Sequence, residues 1–397
     1  MLALLVAWCR RLDLAEEGLA DAFEAAVRTW PARGVPANPA AWMLTAARRK
    51  ITDRLRSEEV LVRRMPLLVV DAELTAASRQ ATVAPTGVLP DERLRLVLLC
   101  AHPRLARESA AALTLRLVLG VSTRDLAHLF LVPEGTMAAR LTRARRRLAG
   151  ATFEVPEAEE LPGQISLVAQ VAYLAFTAGY APGSGPDVLR AETAGEAIRL
   201  VRVLRSLIPA PEAELDALLA LMLLQHSRRA ARVRGGALVL LAEQDRALWR
   251  HDEIAEALEL LAPLTSAPPA PYLLQALIAA EHAIASTAAA TDWRRIVDRY
   301  DELLQLADNP VVRLNRAIAV GEAYGSDAGL AALEGVVLPG HRLPAARAEL
   351  LARSGKTEDA VRAFDAAISL CRNEAERAHL EGRRARVGAG SENTIYE

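Results

Sequence analysis

Residues 132–149 read VPEGTMAARLTRARRRLA and concentrate Arg140, Arg143, Arg145, Arg146 and Arg147 in two helical turns. Guanidinium groups at this density suit one chemistry above others, charge-assisted hydrogen bonding to a polyanion such as a phosphate backbone. Met137, Leu141, Ala144 and Leu148 recur at spacings of four, three and four, which predicts one buried helical face. Thr136, Arg140 and Arg143 fall away from that face, and Arg145 to Arg147 crowd the last turn. Basic residues at a helix C-terminus also complement the macrodipole, so the helix alone is equally compatible with a solvated cationic surface.

The sequence ahead of this helix favours the polyanion reading. In GVSTRDLAHLFLVPEG, Ser122 or Thr123 can cap a short helix whose Leu126, Leu129 and Phe130 point inward, and Pro133 suits the entry to the next. A short helix, a tight turn and a longer basic helix form the helix-turn-helix pattern. From Asp91 to Gly150 there are eleven Arg against five acidic residues, while the whole chain sums to −1. One basic module in an otherwise mildly acidic chain fits a local polyanion contact.

With 397 residues, Ala and Leu dominant and only 4% aromatic residues, the chain predicts an all-α protein of several domains. Residues 1–57 form a helical block. DLAEEGLADAFEAAVRTW places Leu14, Leu19, Ala22, Phe23, Ala26 and Trp30 on one face, PARGVPANP breaks the chain, and AAWMLTAARRKITDRLR restarts it. Residues 58–90 read as a flexible linker, 91–150 as the helix-turn-helix block, and 151–163 as an acidic linker. Residues 164–387 read as helical hairpins. Asn309 to Leu314 align with Leu343 to Ala348 at the 34-residue tetratricopeptide period, and Gly355, Ala360, Phe364 and Ala367 occupy that repeat's packing positions. Trp293, Ile296, Tyr300 and Leu303 mark a more divergent copy, and such units stack into an α-solenoid. The tail 388–397 is expected to be disordered.

These segments together resemble bacterial RNA polymerase sigma factors of the extracytoplasmic-function type, in the subgroup with a tetratricopeptide-like C-terminal extension. DLAEEGLADAF is similar to the region 2 helix that grips the polymerase clamp. NPAAWMLTAARRKITDRLR is similar to the segment that melts the −10 element, and GVSTRDLAHLFLVPEGTMAARLTRARRRL to the region 4 reader of the −35 element. FTAGY, EAIRLVRVL, SRRAARV, EQDRALW and NPVVRLNRAIAV resemble segments of the subgroup's extension.

The resemblance implies promoter DNA and core RNA polymerase, at its clamp and flap regions, as partners. It assigns −35 contacts to Thr136, Arg140 and Arg143 at base edges and to Arg145, Arg146 and Arg147 at phosphates. For the −10 element the available groups are Trp42, Arg48, Arg49, Lys50 and Arg54, although a helical Trp is more often core than a base platform, and the loop ARGVPAN, through Asn38 or Arg33, is an alternative place for a captured base. Glu16, Glu17, Asp21 and Glu24 fall to the clamp, their bland alternative being a solvated helix face. The chain departs from the family where Ala20 replaces a common glutamine, Ala138 and Ala139 replace Lys and Ser, and Thr177 and Ala178 replace Asn and Glu. Met1 also begins partway into the first helix expected of region 2.

In the extension, His226, Arg228, Arg229, Arg232, Gln244, Asp245, Arg246 and Trp249 form the most polar, least repeat-like cluster. Either it receives a peptide, protein or small-molecule signal, or it is a structural network, the second being favoured. Cys9, Cys100 and Cys371 show no disulfide framework or zinc spacing, and no phosphate loop or nucleophile elbow is present. The expectation is a cytoplasmic, non-enzymatic protein without metal, cofactor or membrane contact. The main alternative is a helix-turn-helix regulator that senses a ligand or protein through its repeats without acting as a sigma factor. A third is a scaffold that has lost promoter activity.

Overall fold

The computed structural model describes residues 1–61, 105–118, 120–149, 162–180, 189–207 and 212–392, and these are almost entirely helical. Among the described residues, strand is confined to one two-residue antiparallel pair, β1 (Val233–Arg234) and β2 (Ala237–Leu238). The chain divides into two compact units: Met1–Val118 with Ala138–Val168, and Leu119–Met137 with Ala169–Glu397.

In the first unit, α1 (Leu2–Cys9) buries Leu5 and Val6. α2 (Leu12–Arg33) packs on α3 (Pro39–Leu61) through small residues. Ala15, Gly18, Ala22 and Ala26 are buried, whereas Phe23 is 53% exposed, which corrects its expected inward placement. Gly18 is the reason. A Cβ there would lie 2.5 Å from Ile51 Cγ1, so the backbones meet closely along the alanine and glycine stripe. Phe23 lies off that stripe and turns out. Met43, Ala47 and Ile51 form the buried face of α3.

Two expected boundaries move. α2 continues through Pro31 and ends where Gly34 takes a φ of 81°, so the break starts later than PARGVPANP suggested. α3 runs to Leu61, past the expected boundary at 57, and residues 62–90 of the expected linker lie outside the described residues. α4 (Arg107–Val118) buries Ala110 to Leu113 and Leu115. α5 (Thr123–Leu129) and α6 (Glu134–Leu148) are the expected helix-turn-helix pair.

The expected acidic linker lies outside the described residues except Pro162 and Gly163, which open α7 (Pro162–Tyr180). α8 (Ala191–Leu207), α9 (Ala213–His226), α10 (His251–Leu261) and α11 (Pro271–Ile284) follow. Ten consecutive residues of α9, Leu215 to Leu224, are buried, so this helix is a spine packed by α10 and α11. α12 (Trp293–Leu306), α13 (Pro310–Tyr324), α14 (Ser326–Ala332), α15 (Arg342–Arg353), α16 (Thr357–Leu370) and α17 (Glu374–Glu392) then pack neighbour on neighbour.

Their cores are separate and sequential. Ile278, Ile296, Val297, Ala319 and Val320 form one, flanked by Trp293 and Tyr300. Leu314, Ala317, Leu333, Leu338 and Leu350 form the next, and Ala348, Phe364, Ala367, Cys371 and Leu380 the last. Ala360, Phe364 and Ala367 are fully buried, and Gly355 turns the chain into α16 with a φ of 74°, as their repeat positions implied. The tail expectation is corrected in part. α17 carries helix through Gly388 to Glu392, and only 393–397 lie outside the described residues.

Candidate nucleic-acid interface

The helix-turn-helix is built locally. Ser122 Oγ accepts the Asp125 backbone N–H at 3.0 Å, capping α5. α5 then ends in a Schellman-type turn, with Val132 N–H donating to Ala127 carbonyl at 2.9 Å and Leu131 in the left-handed region at φ 53°. Pro133 leads directly into α6, whose Met137, Leu141, Ala144 and Leu148 are at most 3% exposed. The four-three-four spacing therefore identified the buried face correctly.

On α6, Thr136, Arg143, Arg146 and Arg147 are exposed. Two further arginines are half-buried and engaged within the first unit. Arg140 pairs with Glu108 at 3.1 Å, and Arg145 with Glu16 at 3.3 Å. Sequence reading missed both acids as partners, since neither lies within helical reach of its arginine. The exposed cationic surface of α6 is thus carried by Arg143, Arg146 and Arg147.

Region 2 candidates are redistributed in the same way. Asn38 is exposed, and its Oδ1 accepts the Ala41 N–H at 3.0 Å, so it caps α3. Trp42 is half-buried edge-on against Trp30, with ring centroids 5.5 Å apart. The Arg48 guanidinium sits 5.8 Å from the Trp8 ring. Arg49 and Lys50 are exposed. Arg54 bridges two acids assigned to the clamp, Glu17 at 3.3 Å and Asp21 at 3.1 Å, while Glu24 is exposed.

The polar cluster of the extension separates into three structural sets. Glu253 Oε2 receives Arg229 Nη1 at 2.9 Å and stands 3.1 Å from His226 Nδ1. Burial works against that carboxylate's charge, but His226 and Arg229 outweigh it and lower its pKa. Arg228 donates to Tyr180 Oη at 3.0 Å, and Arg232 stacks 3.9 Å above the same ring. These two cations overcome burial and lower the phenol's pKa. Arg246 lies 4.4 Å from the buried Trp249 ring and donates to the carbonyls of His282 and Ala285 at 2.7 and 2.8 Å. Asp245 is exposed and caps the turn 246–248, and Gln244 donates to Val239 carbonyl.

Two features of the second unit had no sequence signal. Arg190 Nη1 lies 2.8 Å from Asp125 Oδ2, whose side chain is 3% exposed, so a residue just ahead of α8 holds a buried carboxylate of α5. His341, Cys371 and Glu376 also come together, though they lie far apart in sequence.

None of the described helices is long and apolar enough to cross a membrane. Residues 95–148 match the model of Sigma-70, region 4, which covers the helix-turn-helix and its basic helix. Residues 164–264 match a family of unknown function, DUF6596. No solved structure matches. An uncharacterized protein of Rhizobium meliloti (strain 1021) is 39% identical over 386 residues, covering 95% of this chain and 90% of the relative. The chain belongs to one family with that Rhizobium protein, and it carries a sigma-70 region 4 domain followed by a DUF6596 segment.

Proposed function

We propose that this protein is a sigma factor of the extracytoplasmic-function type that brings core RNA polymerase to specific promoters, with its fused helical extension regulating that activity. The observation that carries the reading is the region 4 match on a helix-turn-helix whose α6 exposes Arg143, Arg146 and Arg147 opposite a fully packed face. Arg143, expected at base edges, is exposed alongside Arg146 and Arg147, and in this reading the three meet phosphates along a major groove, with Thr136 and Arg140 nearer the base edges. In this reading α2 is the element that meets the polymerase clamp and α3 the one that meets the −10 element. Arg49 and Lys50 are the exposed cations that α3 offers to single-stranded DNA.

Regulation by the extension is supported by the Arg190–Asp125 ion pair, which ties α5 to the residues ahead of α8. Such a tie biases where α5 can go. The hairpins from α12 onward supply the tetratricopeptide-like part, and the site of action is the cytoplasm, where the polymerase works.

In vitro transcription with core polymerase and a promoter library tests the reading. The expected result is core binding and promoter-selective transcripts. Failure to bind core polymerase, with DNA binding retained, would leave a helix-turn-helix regulator instead. Arg190→Ala is expected to change transcript yield at unchanged core binding, and an unchanged yield would remove the regulatory part.

A further inference from the structure

His341, Cys371 and Glu376 are brought together by the up-down-up order of the last three helices. His341 sits at the N-cap of α15, Cys371 at the C-cap of antiparallel α16, and Glu376 in the first turn of α17. All three therefore stand at the same end of the three-helix layer. Their ligand atoms lie within 4.8 Å of one another, and His341 Nε2 is 2.8 Å from Glu376 Oε2. His341 and Cys371 are 8% and 4% exposed, while the Glu376 side chain keeps 25% of its surface.

We propose that these three side chains bind a divalent cation of zinc type, with its fourth position open to the adjoining cleft. An imidazole, a thiolate and a carboxylate form a borderline-soft set of the kind zinc accepts, and three protein ligands leave one site for water or another ligand. Tetrahedral bonds of about 2.0–2.3 Å put donor atoms about 3.3–3.6 Å apart, so the cluster needs only small side-chain shifts to close on the ion. The His341–Glu376 contact opens slightly and the thiol moves in. On binding, the Cys371 thiol proton and any proton on His341 Nε2 leave to solvent, and the ion takes their place.

The surroundings fit this use. A cleft of about 290 Å³ reaches His341 and Glu376 and gives a route of entry. His379, one turn beyond Glu376 on α17, borders the same cleft. Glu349 also borders it, but Arg383 holds that carboxylate, with Nε to Oε1 at 2.7 Å, so Glu349 is not counted as a ligand. Cys371 Sγ lies 3.4 Å from the Asn373 carbonyl, which fixes its rotamer near the other two donors. None of the three ligands belongs to the helix-turn-helix, although His128 of α5 lies within electrostatic range of His341 and Glu376.

The test uses the full chain, stripped of metal with a chelator and titrated with Co²⁺. The expected result is uptake of one equivalent, with intense visible bands of tetrahedral cobalt and a thiolate-to-cobalt charge-transfer band. Added Zn²⁺ should bleach both. Cys371→Ser should abolish the charge-transfer band, whereas Cys9→Ser and Cys100→Ser keep it. Glu376→Gln should weaken binding at least tenfold, with metal-free circular dichroism matching the parent chain to show that the fold survives. No cobalt uptake, a charge-transfer band that persists in Cys371→Ser, or unchanged affinity in a folded Glu376→Gln variant would each overturn the site.

Discussion

The division of α6 into exposed and engaged arginines makes a quantitative claim about salt. Each guanidinium that neutralises a phosphate adds about −0.9 to the slope of log affinity against log salt on duplex DNA. Arg143, Arg146 and Arg147 are exposed and together account for a slope of about −2.7. A fourfold rise in salt, from about 50 to about 200 mM, then weakens binding by about 40-fold through these three contacts alone. Replacing all three by Ala should flatten the slope by nearly that amount. Arg145→Ala should flatten it by much less, because Glu16 already holds that guanidinium, and Glu16→Gln should steepen it by up to about 0.9. The assay is fluorescence anisotropy of the full chain on a labelled −35 duplex over a salt series. Arg140, paired with Glu108, provides the second half of the test. Arg140→Ala should relax discrimination between matched and mismatched duplexes, while Arg146→Ala weakens both equally. A triple variant with the parent slope, or equal effects of Arg145→Ala and Arg146→Ala, would refute the reasoning.

Three further outcomes follow from packing and charge. Gly18→Ala should destabilise the first unit by about 1–3 kcal/mol, since its Cβ meets Ile51 Cγ1 at 2.5 Å, and Ile51→Ala should recover part of the loss in thermal melts. Arg190→Met removes a guanidinium from beside the buried Asp125 carboxylate and should cost about 2–4 kcal/mol in urea denaturation. His282 is held down to about 4 by burial first and then by the Arg228 and Arg246 charges. An unfolded His titrates near 6.5, so the unfolded chain binds the extra proton between those values. This group's stabilisation is complete above about pH 6.5 and lost as pH falls toward 4, by about 2–3 kcal/mol at about pH 4.5. His282→Gln should remove that part of the pH dependence, and an unchanged pH profile would contradict the assignment.

The outline of the fold was readable because periodicity is a local signal. The buried residues of α6 and the Ala360, Phe364 and Ala367 face of α16 sit where their spacing put them. Phe23 was misplaced because hydrophobicity ranked it above its neighbours, whereas the closeness of α2 to α3 depends on the side chain that Gly18 lacks. The α6 arginines were visible as a charged face, but which are engaged depends on Glu108 and Glu16, whose proximity is a tertiary fact. Arg54 shows the same limit, since it was assigned to DNA and stands between Glu17 and Asp21. His341, Cys371 and Glu376 escaped notice because helix order, not sequence spacing, assembles them.

The succession of small cores from α11 to α17 has a mechanical consequence. Units that rest mainly on their neighbours lose cooperativity with distance, so the array need not yield all at once. Pulled from its C-terminal end, the protein should give way in steps, α17 and then α16, which carries Phe364, peeling from Ala348 on α15 before the Ile296 core feels any load. An optical-trap trace with several small ruptures, the weakest first, is the signature of this construction.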